Sequence, residues 1–365
     1  MKPRLDQLLA GYADGDAISQ QAVILRDIFR RWGHPAEIFV DPAHVSPTLR
    51  TDCRPLAEYA GGPSDIALHH YGMTSPAAAL FGNVAAHKIL IYHNVTPAHF
   101  FRGYDDAIAA QLDTAHAQVA QLAPRCAAVW AVSQFDAEDL AALGIRTAQV
   151  FPLVFAPKTN VVPDAALRSR LTAPQLTTLL FVGRLAPNKR VEDLLEAYAY
   201  YYRINPFSRL FIVGSERSCP PYFTMLKILA AGLKTPNVCF EGFASPTGLG
   251  AYYQLANVFV SCSAHEGYGV PLVEAMRYGV PVIARDAGGT REALGGAGVM
   301  FDDASPAELA ELIHRVVSDQ ALRGEVLAAQ QRRWNDTLSR PIEQELQTLL
   351  ASLLPPRGAD NPAHA

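Results

Sequence analysis

Runs that are mostly apolar, rather than alternating regularly with polar residues, recur along the whole chain. Six fall near 5–9, 36–40, 65–69, 88–92, 127–132 and 148–151. Six more fall near 179–182, 210–213, 238–240, 258–260, 280–284 and 299–301. A strand that is apolar on both faces needs cover on both faces. Amphipathic stretches between the runs, such as 18–32, 191–202 and 306–318, supply that cover. Strand–helix alternation of this kind predicts parallel, doubly wound sheets. Two sets of six predict two similar domains, and 365 residues suffice for both.

The two sets meet in PLVFAPKTNVVPDAALRSRL, which is proline-rich and weakly periodic. A linker near 155–163 follows, with a first domain over 1–157 and a second over 158–340. The closing PPRGADNPAHA, 355–365, reads as a disordered tail. A net charge of −4 argues against nucleic acid as a partner. No apolar run reaches the length of a membrane span, and the first residues lack the apolar core of a signal peptide. Five scattered cysteines without a Cys-x-x-Cys pair read as reduced thiols of a cytoplasmic protein, with no zinc site.

The densest chemistry lies in SCSAHEGYGVPLVEAMRYGV, residues 261–280. Glu266 falls at the carboxyl end of an apolar run, and Glu274 lies about a turn inside the helix that follows. Between them, Gly267-Tyr268-Gly269 forms a tight turn and Val270-Pro271-Leu272 opens the helix, with proline where a missing N–H costs little. A helix start favours anions, and two carboxylates accept hydroxyls. The combination suits a nucleotide-sugar better than a bare nucleotide. Upstream, LLFVGRLAPNKR places Arg184 and Lys189 after another run, where two cations can face a diphosphate.

This arrangement resembles the Glu-x7-Glu motif of retaining glycosyltransferases with the GT-B fold, and among them family 4. The likeness is strongest over 179–301 and looser over the first 155 residues. It implies a fold of two facing Rossmann-like domains, with a terminal helix, about 341–354, that crosses back to the first domain at Arg340-Pro341. The resemblance also implies that Arg184 and Lys189 hold the donor diphosphate, that Glu266 receives hydroxyls of the transferred sugar, and that Glu274 binds the ribose. Phe243 is implied beside the base. One departure is Arg190, where the family often has glycine.

From the first domain, Gly15 permits close backbone approach to the donor. Asp16 either caps a helix or contacts the acceptor. His93, after the run 88–92, takes the role of the family histidine that contacts the transferred sugar. Phe100, Phe101 and Tyr104 are either core or an acceptor platform, the latter with room for contact with a membrane surface. Gly288, Gly289 and Glu292 stand beside the donor or simply enter a helix. The expected reaction moves a hexosyl group, mannosyl first, to a glycan or lipid-linked acceptor of surface polysaccharide or lipopolysaccharide, at the inner face of the membrane. GDP-mannose is the first expected donor and UDP-glucose the second. No cofactor is expected, and no Asp-x-Asp motif lies in the context expected of a metal site. The alternatives are a sugar phosphorylase, a nucleotide-sugar epimerase, and a non-catalytic nucleotide-sugar-binding subunit.

Overall fold

The computed structural model describes residues 2–154 and 162–354. The linker centre at 155–161 and the tail at 355–365 lie outside the described residues. Seven strands form the first sheet: β1 (Leu5–Leu9), β2 (Ile38–Val40), β3 (Arg54–Pro55), β4 (Ile66–Tyr71), β5 (His87–Tyr92), β6 (Ala128–Ala131) and β7 (Gln149–Val150). Their order is β3-β2-β1-β4-β5-β6-β7, parallel throughout. Six strands form the second: β8 (Thr177–Val182), β9 (Ser208–Val213), β10 (Val238–Gly242), β11 (Val258–Ser261), β12 (Val282–Arg285) and β13 (Val299–Phe301). Their order is β10-β9-β8-β11-β12-β13, again all parallel.

Each apolar run becomes a strand, central or edge, and the central β1 buries Asp6 and Gln7 among its leucines. β1 and β4 are buried at every position, as are β9 and β11. Each sheet reverses its winding once, between β1 and β4 and between β8 and β11. At such a reversal the loops beyond the strands' carboxyl ends part and leave a crevice for a ligand. The architecture is GT-B. Strand β3 has no counterpart among the apolar runs. It is a two-residue edge, Arg54-Pro55, that pairs with Phe39 and Val40 and buries little.

Arg340 leaves the helix Gln320–Ser339 in an extended conformation, and its guanidinium donates to the Pro152 carbonyl of the first unit at 2.7 Å. The helix Ile342–Leu350 then packs Leu346 and Leu350 into the core that holds Leu25, Ile28 and Phe29. Glu343 fixes its outer side, accepting from Arg31 at 2.5 Å and from Trp32 Nε1 at 3.0 Å.

Candidate active site

Both crevices open into one cleft of about 580 Å³ between the sheets. The second sheet contributes Gly183 and Arg184 after β8, Gly214 and Ser215 after β9, Phe243 after β10, and Glu266 to Pro271 after β11. The first contributes Gly15 and Asp16 after β1 and His93 after β5.

Lys189 ends a single 3-10 turn, Pro187–Lys189, that Asn188 anchors by donating to the His265 carbonyl at 3.1 Å. Its Nζ meets Glu266 Oε2 at 2.7 Å, with both side chains close to buried. Burial alone would raise the Glu266 carboxyl. The Lys189 charge and hydrogen bond, with a further bond from Ser263, outweigh it and hold the group below the usual carboxylate range. Arg184 is exposed and lines the same wall.

The helix Val270–Arg277 starts at Gly269, which has a φ of +95° and no capping side chain. Its first turn is therefore open to an anion. Glu274, one turn further, accepts from Tyr253 Oη at 3.0 Å. Burial raises its carboxyl, against the lowering effects of Tyr253 and Arg277. Val270 and Pro271 line the cleft. Leu272 does not: its side chain is buried in the core, and its N–H bonds Gly269 O at 3.0 Å. The expectation that Leu272 binds donor is thereby corrected.

Arg190 has a φ of +49°, the left-handed region that favours glycine. Bonds to Asp193 at 2.8 Å and Glu192 at 3.2 Å hold it, and Asp193 is tied to Arg285 at 2.7 Å. The arginine thus occupies a glycine conformation by ion pairing, beside the lysine that meets Glu266.

Asp16 caps the helix Ala17–Arg31, accepting from Ser19 N at 2.8 Å, while still lining the cleft. The aromatic trio does not line it. Phe101 is buried in the core. Tyr104 packs edge-on against Tyr222 of the second unit at 5.4 Å. Phe100 lies 6.1 Å from the His265 ring. The turn Ala98–Phe100 packs against the helix Asp106–Leu122, and neither Phe101 nor Tyr104 reaches the cleft wall.

Gly288 and Gly289 buttress the site from behind. A Cβ on Gly288 would meet Glu266 O at 2.1 Å, and one on Gly289 would meet Gly267 O at 2.2 Å. Gly289 N also donates to Glu266 O at 2.8 Å. Gly289→Ala is therefore expected to push the Glu266 turn forward. The cost is about 1–3 kcal/mol of stability, read by thermal melting, with weaker nucleotide binding. An unchanged melt would show that the two loops do not approach so closely. Glu292 lies outside the cleft and accepts from Gln134 N of the first unit at 2.6 Å.

Residues not singled out in the sequence complete the walls. Tyr253 and Tyr278 stack at 5.2 Å, nearly parallel, and Arg277 lies 5.4 Å from the Tyr278 ring. Arg277 follows Glu274 by three positions, a helical spacing that shares one face. Tyr253 sits on the helix Pro246–Leu255, PTGLGAYYQL, which carried no signal. His265 Nε2 meets Asn94 Oδ1 at 2.5 Å, and Asn94 donates to Asp136 at 2.9 Å, a buried relay joining the two units.

Residues 166–333 match the family model of glycosyl transferases group 1. The matched segment carries β8 to β13 and the Lys189–Glu266 pair. The chain is 33% identical over 221 residues to the D-inositol 3-phosphate glycosyltransferase of Thermomonospora curvata, covering 55% of this chain and 50% of that one. It is 28% identical over 181 residues to the serotype-specific mannosyltransferase WbdA of Escherichia coli, covering 48% and 22%. The chain thus spans half or less of the length of these two curated relatives. Anabaena HepE in complex with UDP and glucose has the same fold, with a TM-score of 0.71 at 19% identity over 96% of this chain and 100% of that one. No helix among the described residues is long and apolar enough to cross a membrane.

Proposed function

We propose that the chain is a retaining glycosyltransferase. It moves a hexosyl group, mannosyl first, from a nucleoside-diphosphate sugar to a glycan or lipid-linked acceptor in surface polysaccharide or lipopolysaccharide synthesis. The observation that carries the reading is the 2.7 Å Lys189–Glu266 pair beside Arg184 and an uncapped helix start, facing Gly15 and His93 across one cleft. GDP-mannose is the first donor, supported by the likeness to WbdA. UDP-glucose is the second, supported by the UDP and glucose in HepE.

In this reading Arg184, Lys189 and the first turn of Val270–Arg277 stabilise negative charge as it grows on the leaving diphosphate. Glu266 accepts sugar hydroxyls and Glu274 the ribose hydroxyls. The bond from the anomeric carbon to the phosphate oxygen breaks, and the acceptor oxygen bonds that carbon on the same face. The acceptor proton passes to the departing phosphate. His93 is a poor base for it, since burial lowers its ring to about 3.

The test is a panel of GDP- and UDP-sugars read by thermal shift, followed by product analysis with acceptor. A donor at about 100 times its dissociation constant stabilises by roughly 2.7 kcal/mol. Transfer with retained anomeric configuration supports the proposal. Release of sugar 1-phosphate by free phosphate indicates a phosphorylase, and conversion of donor without acceptor an epimerase. Binding without turnover indicates a non-catalytic subunit. Transfer is also expected to persist in EDTA, because protein cations flank the diphosphate where other enzymes place a metal. Complete loss in EDTA with recovery in manganese overturns that point.

A further inference from the structure

The His93 ring is oriented by groups that lie outside the cleft. Its Nε2 is 2.8 Å from His70 Nδ1. His70 Nε2 is 2.9 Å from Gln7 Oε1, and Gln7 Nε2 donates to the Ala22 carbonyl at 2.8 Å. The three residues stand on β1, β4 and the end of β5, and Gln7 and His70 are buried.

The protons in this line can be assigned from its far end. A carbonyl oxygen only accepts, so the Gln7 atom that faces Ala22 is the amide nitrogen. Its other end is oxygen, and His70 Nε2 must supply the hydrogen. A neutral imidazole has one N–H, so His70 Nδ1 is a lone pair and the hydrogen between the rings belongs to His93 Nε2. Burial, with help from neighbouring histidines, lowers both rings and keeps them neutral. His93 Nδ1 is then a lone pair. It has no partner among the described residues and is not among their buried polar atoms that lack one, so it is open to the cleft that His93 lines.

We infer that Gln7 and His70 are positioning residues that lock His93 as its Nε2–H tautomer. The lock presents an imidazole lone pair, rather than an N–H, to a hydroxyl of the transferred sugar. The inference rests on the reading of the cleft as a hexosyl-transfer site, and it adds what that site selects: a group that donates a hydrogen bond.

Long-range 1H–15N spectra of the full 15N-labelled chain test it directly. The wild-type protein should show His93 protonated at Nε2 and unprotonated at Nδ1, unchanged from pH 5 to 8. His70→Leu removes the acceptor and should give mixed His93 tautomers. Turnover of GDP-mannose or UDP-glucose should fall about tenfold, the size of one lost hydrogen bond, while affinity for GDP and UDP stays within about twofold. His70→Asn offers an oxygen near the Nδ1 position and should restore both tautomer and turnover. A wild-type His93 protonated at Nδ1, or full turnover in a folded His70→Leu, overturns the lock. If His70→Leu binds neither nucleotide, Gln7→Leu and the wild-type spectrum decide. Full turnover in His93→Ala instead overturns the reading of the site, whatever the tautomer.

Discussion

Lys189→Ala is expected to lower transfer about 100- to 1,000-fold and to destabilise the fold by about 3 kcal/mol or more. Two losses combine. The cation that would face the leaving diphosphate disappears. Glu266 also loses the partner at 2.7 Å that holds its carboxyl low against burial. Without Lys189, burial dominates and the carboxyl moves up, so Glu266 either takes a proton or stays charged in a poor environment. Removing one member of a buried pair costs more than removing both, because the survivor is left unpaired. The double variant Lys189→Ala/Glu266→Gln should therefore melt near wild type yet remain inactive. Glu266→Gln alone should bind GDP or UDP nearly as well as wild type while transfer falls. Wild-type transfer in a folded Lys189→Ala removes the pair from the mechanism. A double variant no more stable than Lys189→Ala shows that the pair is not coupled.

Much of this site was legible because its residues sit where strand–helix grammar puts them. Glu266, Arg184 and His93 each follow a continuously apolar run, and carboxyl ends of parallel strands converge on a crevice. Glu274 follows from helical spacing. What was not legible are the contacts between distant segments. Nothing in the sequence pairs Lys189 with Glu266, or joins His265 to Asn94 and Asp136 across the two units. The aromatic run from Phe100 to Tyr104 is ambiguous in sequence, because core, interface and ligand platform all favour such rings. Tertiary contact with Tyr222 and His265 resolved it. Strand β3 escaped because a short polar edge has no apolar signature. The departure at Arg190 was visible as a missing glycine, but its left-handed backbone and its ion pairs were not.

Asp136→Asn is expected to stabilise the protein above neutral pH and to change how stability responds to pH. Asp136 is fully buried; one oxygen accepts from Asn94 at 2.9 Å, and the other has no partner. Burial, and behind it the nearby charges of Asp139 and Glu292, push its carboxyl up to about 8, against the lowering effects of Asn94 and the nearby Ser133 hydroxyl. The folded protein therefore holds a proton that the unfolded chain has released once pH exceeds the ordinary value of 3.8. Between that value and about 8 the folded state binds more protons, so the unfolding free energy falls as pH rises, by about 1.4 kcal/mol per unit from this group. The buried histidines act in the opposite direction at lower pH: His69 and His265 are lowered to about 4 and His93 to about 3, so they add stability as pH climbs toward 6.5. The interval from pH 7 to 8 isolates Asp136, since imidazoles are mostly neutral there in both states. Over that interval wild type should lose about 1 kcal/mol relative to Asp136→Asn in chemical denaturation. At pH 8 the variant should be the more stable by several kcal/mol, up to about 5. The new amide still accepts from Asn94, so the relay to His265 persists and transfer should stay within about twofold of wild type. Parallel pH slopes for the two proteins, or a less stable variant at pH 8, would show that Asp136 is already ionised in the folded protein.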